Sequence, residues 1–387
     1  MKKLNPLQKA LLCFLTLALL SLCVSCAKGP PETIHNIAYT AIGNPSAGAF
    51  PDGSIARSPW DMILYDDCLF VGSGDYDKNA GPVPIYCYST KSGEWTESER
   101  LAEEEINRFL LLDSTLTTPG IDPREDWSLG NYYTLEKGKW VKHRTLPDGV
   151  HAYDMITFEG AIYAGLGVTS GKMPVMRSFD GGESFEPIPF LKDAAVVKTE
   201  GFTYIRTYDL LEFDGKLYAT LTLGNESLSY ELYEYDDTLD AFIFFSDLKD
   251  SVVRVKYNHM HITATAKADD TVFLVTGKLY ETRDMDDFYE ITLDGVDLVC
   301  DIYEDDGKIY LLTATKANDE EGVFKTSVWQ VWKDKEGKMS LVELFNLYYD
   351  VPCLSLAVEN EDFYIGMSDT TGKNELNGTV LHVEYSN

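Results

Sequence analysis

The chain has 387 residues, 44% hydrophobic and 12% aromatic, enough apolar material for a large core and too much for a disordered chain. Its formal charge is −30, with 63 acidic side chains against 33 Lys and Arg, which excludes the basic track a nucleic-acid partner needs. Acidity of this size also serves solubility, so it names no ligand by itself.

Lys2 and Lys3 precede an apolar run over residues 11–24, closed by Ser25, Cys26 and Ala27. A basic start, a short greasy segment and small residues mark an export signal. The run is shorter than the roughly 20 residues of a comfortable membrane span. Its end resembles a bacterial lipobox, with Cys23 standing where Leu is usual. The expected division is a lipoprotein signal over 1–26, a linker over 27–33 and one domain over 34–387. The protein is then exported and anchored at the bacterial membrane or cell surface through acyl chains on Cys26.

After a strand expected at 34–40, the chain repeats one construction. Residues 60–72 (WDMILYDDCLFVG) alternate apolar and polar positions, turn on acidic residues, and return to a small residue. Residues 153–165 (YDMITFEGAIYAG) and 208–220 (YDLLEFDGKLYAT) copy it, with fainter copies near 270, 307 and 362. Units start near Asp61, Ile106, Asp154, Asp209, His261, Cys300 and Cys353, several of them far enough apart for four short strands and the last with only three. No helical stripe accompanies them apart from a brief turn expected within 101–110, so folds needing a helix between strands are poor fits. The expectation is an all-β propeller of seven blades, or six on a tighter count. The strand at 34–40 would complete the last blade, so that N- and C-terminal strands close the ring. Cys68 and Cys87 fall on consecutive strands and read either as cross-strand neighbours or, preferably, as small core residues.

In such a fold the loops entering each inner strand emerge on one face. Arg57, Trp60 and Asp61, then His151, Tyr153 and Asp154, then Arg206, Tyr208 and Asp209, occupy equivalent entrances, with His259 and His261 at a fourth. Asp61, Asp154 and Asp209 would converge on the channel mouth, either crowding one another or each bonding the next blade's backbone. As weak catalytic candidates they stand beside His151, which could act as a base with Asp154 as its partner. The loop bearing Asp75, Asp77 and Asn79 places oxygens at alternate positions, as a calcium loop does, or is held by Asx hydrogen bonds. Calcium is the one cofactor this chain suggests. Asp122, Glu125 and Trp127 share a further loop on this face, and Arg57, Trp60, Asp122, Trp127 and Arg206 are the expected ligand-binding residues.

Ser178, Asp180, Gly182, Ser184 and Phe185 form a stretch that resembles the Asp-box of sialidase-like propellers, and residues 89–95 resemble a shortened copy. The resemblance implies a structural turn between outer strands, away from the active face. It does not imply sialidase chemistry, since the arginine triad and the Arg-Ile-Pro type segment have no counterpart. The repeat also resembles bacterial surface lipoproteins.

The leading expectation is a lipid-anchored, monomeric propeller binding a glycan or protein ligand at its loop-rich face. The alternatives are a glycan-cleaving hydrolase or lyase using carboxylates at the channel mouth, and a scaffold of a surface complex. The sequence leaves catalysis open.

Overall fold

The computed structural model describes residues 30–51, 54–248, 264–268, 270–317, 322–336 and 338–385. The repeated construction forms two-stranded units at the heart of each sheet. Asp61–Tyr65 pairs antiparallel with Cys68–Gly72, and the two turn residues, Asp66 and Asp67, both have positive φ (50° and 60°). That is the turn whose twist matches a tight hairpin, and it explains why Asp, Asn and Gly recur there. Asp113–Ser114, Glu159–Gly160, Asp214–Gly215, Asp306–Gly307 and Asn360–Glu361 repeat the two positive φ values.

Among the described residues five four-stranded antiparallel sheets result, here called blades I to V. Blade I contains Asp61–Tyr65, Cys68–Gly72, Val83–Ser89 and Trp95–Leu101, and blade II Leu110–Leu112, Thr115–Pro119, Leu129–Glu136 and Lys139–Pro147. Blade III contains Ala264–Ala268, Thr271–Val275, Leu279–Thr282 and Tyr289–Ile291, and blade IV Leu298–Asp305, Lys308–Lys316, Phe324–Lys333 and Met339–Tyr349. Blade V joins Cys353–Glu359, Asp362–Met367 and Val380–Glu384 to the N-terminal strand Tyr39–Gly43. Between blades II and III the chain forms one continuous eleven-stranded sheet from His151–Phe158 to Ala241–Asp247.

The all-β architecture agrees with the sequence, but the count of seven blades, or six, does not. The units at Asp154 and Asp209 are fused by linker strands that carry no alternating pattern. Tyr204–Arg206 pairs with Gly167 on one side and with Thr222–Gly224 on the other, while Phe190–Lys192 lies parallel to Phe242 and Ile243. The terminal strands share blade V, yet a ring of separate blades is not closed, because hydrogen bonding runs through this large sheet. The N-terminal strand also lies later than residues 34–40. Tyr39 faces Val383, and Ile37 is buried in the blade IV–V core. No helix forms within 101–110; the segment is an extended linker in which Glu103, Glu104 and Glu105 are all buried.

Cys68 and Cys87 form a disulfide across the second and third strands of blade I, with Cα atoms 5.7 Å apart, rather than serving as separate small core residues. Cys300 and Cys353 are buried free thiols. The Ser178–Phe185 turn is built from its own side chains: Ser184 Oγ donates to Asp180 Oδ2 at 2.6 Å, and the Gly182 N–H donates to Ser178 Oγ at 2.8 Å. Among the described residues no helix is long and apolar enough to cross a membrane.

Candidate functional site

The carboxylates at the strand entrances do structural work. Asp61 accepts the N–H of Met62 at 2.8 Å on one oxygen and that of Phe109, at the start of blade II, at 2.5 Å on the other. Asp154 does the same with Met155 (2.9 Å) and Leu210 (2.9 Å). Asp301, which the sequence reading did not single out, bridges Ile302 and Leu356 of blade V, each at 2.8 Å. Burial pushes the Asp61 carboxyl up to about 6 and raises Asp154 and Asp301, the last helped by Asp61. The cation among them is Arg108, whose Nη1 lies 3.5 Å from Asp154 Oδ2. A cavity of about 210 Å³ here is lined by Trp60, Asp61, Asn107, Arg108 and Asp301 among others. Asp209 is buried in the large sheet, where its N–H donates to Thr220 Oγ1 at 3.1 Å.

The remaining residues separate into two groups. Arg57 donates to the carbonyls of Phe50 and Pro51, both at 2.6 Å, and so pins its own loop. Trp60 is buried, its indole N–H donating to Gly74 O at 2.7 Å. Asp75 is buried and caps a short 3-10 turn by accepting the Lys78 N–H, whereas Asp77 and Asn79 are exposed. Among the described residues no group of three or more His, Cys, Asp or Glu side chains is arranged to hold a metal ion. His259 and His261 lie outside the described residues, as does Cys26.

The second group converges. Single backbone bridges link Gly74 to Glu105, Glu105 to Ile121, and Ile121 to His151; His151 pairs with Gly167, and Gly167 with Arg206. This row runs along the mouth end of the strands and sets His151 and Arg206 on either side of Gly167. Cross-strand neighbours point to the same face, so both side chains rise over the glycine, their Cα atoms about 10 Å apart. A Cβ at Gly167 would stand 2.8 Å from Arg206 Nε and 2.8 Å from His151 Cδ2. Glycine therefore lets the imidazole and the guanidinium close over this strand, where any side chain would collide with both.

Behind His151, Asp122 reaches in from the blade II loop, its Oδ1 3.2 Å from Nδ1. Its partner is thus Asp122 and not Asp154. Burial, then Glu104, push the Asp122 carboxyl up to about 6, against the pull of Arg206. In front, aromatic rings form a continuous run. Tyr76 meets His151 edge-on at 6.1 Å, His151 stacks on Tyr153 at 5.5 Å, and Tyr153 packs on Tyr208 at 4.5 Å. Tyr208 and Tyr204 share a hydrogen bond between their hydroxyls, and the Arg206 guanidinium lies 4.7 Å from the Tyr204 ring centre. Burial raises the phenols of Tyr76, Tyr153 and Tyr208, so they stay protonated and act as donors at neutral pH.

Trp127 is 59% exposed on the same loop as Asp122. That loop is held by Arg144, which donates to Glu125 Oε2 at 3.0 Å and to Asp126 Oδ2 at 2.8 Å, and by Lys142 at 2.7 Å from Glu125. Glu125 is therefore occupied in ion pairs. The sequence reading named His151, Asp122, Trp127 and Arg206 but missed Tyr76, Tyr204, Gly167 and Arg108. The positive φ of Asp122 (54°), unusual outside glycine, belongs to the turn that aims its carboxyl inward.

No protein-family model matches the chain, and no curated protein matches it. Solved structures align with it at low identity. One is a 6-phosphogluconolactonase, so described provisionally, from Bacteroides fragilis (12% identity, 78% of this chain and 88% of that one, TM-score 0.47). Another is an ulvan-cleaving polysaccharide lyase bound to a glucuronate–rhamnose-3-sulfate unit (11%, 92% and 96%, TM-score 0.44). A third is a puromycin hydrolase (11%, 86% and 53%, TM-score 0.44). The sialidase-type, Asp-box resemblance is corrected: no family model matches, the expected ring of six or seven blades is replaced by five four-stranded sheets and one fused sheet, and the Ser178–Phe185 turn is a local construction that does not carry family membership.

Proposed function

We infer that this protein is a glycan-cleaving enzyme acting on a uronate-containing chain by β-elimination, with His151, Arg206 and the tyrosine run as its machinery. The observation that carries this reading is the placement of His151 and Arg206 across Gly167. A sugar ring lying over this pair presents its carboxylate to Arg206 and the adjoining carbon to His151. Arg206 binds the ring carboxylate and stabilises the negative charge that develops when the neighbouring carbon loses its proton. His151 accepts that proton on Nε2, and Asp122, 3.2 Å from Nδ1, offsets the positive charge that the ring then carries. The electron pair left on carbon forms a double bond, and the glycosidic oxygen departs with a proton from Tyr204. Trp127 extends the surface as an aromatic platform for an adjoining sugar.

Carboxylate-based hydrolysis has less support, since Asp61 and Asp154 spend both oxygens on backbone N–H groups. Export with lipid on Cys26 remains part of the proposal. The Cys68–Cys87 disulfide supports it, because such bonds persist in oxidising compartments. The test is incubation with a panel of glucuronate-, iduronate- and galacturonate-containing polysaccharides, read by the ultraviolet absorbance of the unsaturated product. Turnover that disappears in His151→Ala and Arg206→Ala supports elimination. Tight binding without any unsaturated product in the panel would replace it with a binding module.

A further inference from the structure

Blades III and IV meet at a second groove, at the opposite end of the strands from His151 and Arg206. The hairpin turns around Asp270 and Gly307 border it, whereas the mouth lies at the far ends of the same kind of hairpin. Its volume is about 400 Å³, enough for a sugar unit. Four cations from four separate strand ends line it: Lys267, Arg283, Lys308 and Lys333. Among the described lining residues, two, Asp270 and Glu304, are acidic. In a chain where acidic residues outnumber Lys and Arg 63 to 33, this groove reverses the balance. Glu361 occupies Lys308 at 2.7 Å, but Lys267 and Arg283 are exposed and form no ion pair among the described residues. The half-buried Trp332 lies beside them, and an adjoining cavity that mixes Trp329, Ile291 and Leu341 with Glu281 and Asp294 shares Arg283 with the groove.

We propose that this groove is a second carbohydrate site, taking a sulfated or carboxylated sugar unit of an anionic glycan. Lys267 and Arg283 hold the anion, and Trp332 covers a ring face. Clustered cations inside an acidic surface focus attraction on one place, and a planar guanidinium binds sulfate or carboxylate through two parallel hydrogen bonds. A polymer held here is kept near the molecule between encounters with the mouth, a gain of effective concentration rather than of new chemistry.

The proposal stands apart from catalysis and is tested apart from it. A chondroitin sulfate oligosaccharide is titrated against Arg206→Ala protein by calorimetry, with unsulfated hyaluronan oligosaccharide and inorganic sulfate as parallel probes. Arg206→Ala is expected to retain oligosaccharide binding, and adding Lys267→Ala with Arg283→Ala to weaken it roughly tenfold or more. Both cations are exposed, so thermal unfolding should be unchanged. Loss of all binding in Arg206→Ala alone, unchanged affinity in the triple variant, or equal binding of inorganic sulfate would each overturn the groove as a sugar site. Failure of the lyase assay leaves this outcome intact, because it is read without turnover.

Discussion

His151 Nδ1 lies 3.2 Å from Asp122 Oδ1, although Asp122 belongs to a blade II loop and His151 opens a strand of the large sheet. The Asp122 carboxyl is pushed up to about 6, chiefly by burial, so it becomes ionised only as pH rises through that value. An ionised Asp122 beside Nδ1 favours a charged imidazole and so helps Nε2 to accept a proton. Turnover on an elimination substrate should therefore rise through pH about 6, and Asp122→Asn should lower kcat by roughly 10²-fold or more while moving that limb. A pH–rate profile of the variant identical to the parent's would remove Asp122 from the mechanism.

Gly167 is a positioning residue in this account. Its φ is ordinary, so Gly167→Ala strains no backbone, but the added methyl must displace His151 or Arg206. Activity should fall steeply while stability drops by about 1–3 kcal/mol. Parallel measurement of kcat/KM and of the urea midpoint separates the two. Equal loss in both would reduce Gly167 to a packing residue.

Asp301, Asp61 and Asp154 each satisfy two backbone N–H groups, one in the following unit. Asp301→Ala would leave the N–H groups of Ile302 and Leu356 unpaired in a buried site, at a cost on the order of 2–4 kcal/mol. The check is denaturant unfolding. Asp301→Ala should lower the midpoint, and a stable variant that had lost only activity would assign Asp301 to chemistry.

Glu103 is fully buried, with one oxygen accepting from Asn131 (2.5 Å) and Tyr133 (2.8 Å), and burial pushes its carboxyl up to about 7. A carboxyl with a raised folded pKa binds its proton more tightly in the folded state. Its stabilising contribution is complete below the unfolded value and is lost as pH rises through the folded one. With Asp61 and Asp122 at about 6, the thermal midpoint should rise as pH is lowered from 8 toward 5. Glu103→Gln should flatten that slope above pH 6. A midpoint that falls steadily over this interval would contradict the assignment.

Trp127 gives the clearest separation of binding from folding. It is exposed on a loop that Arg144 holds, so Trp127→Ala should change stability by no more than about 0.5 kcal/mol. Glycan affinity should nevertheless fall, as titration with an active substrate would show. Unchanged affinity would exclude this platform.

Much of the fold could be read locally, because its strongest signals are local. Asp66–Asp67 and Asp214–Gly215 announce their hairpins by residue type alone, since few side chains tolerate two successive positive φ values. The alternation of Met62, Leu64, Leu69 and Val71 likewise dictates which face is buried. The fusion of the third and fourth units had no such signal. Strands such as Tyr204–Arg206 are too short to show a period, and they pair only because Gly167 and Thr222 lie beside them in space.

The site divides in the same way. Sequence by itself determined the repeated hairpins, the acidic character and the presence of His151, Asp122, Trp127 and Arg206 in loops or at strand entrances. Which carboxylate meets which partner was decided by tertiary structure. Asp154 stands three residues from His151 yet bonds Leu210, whereas Asp122, far along the chain, lies against the imidazole. The reason is geometric. Neighbours along a strand point to opposite faces or along it, and only pairing between strands brings Glu105, His151, Gly167 and Arg206 into one row.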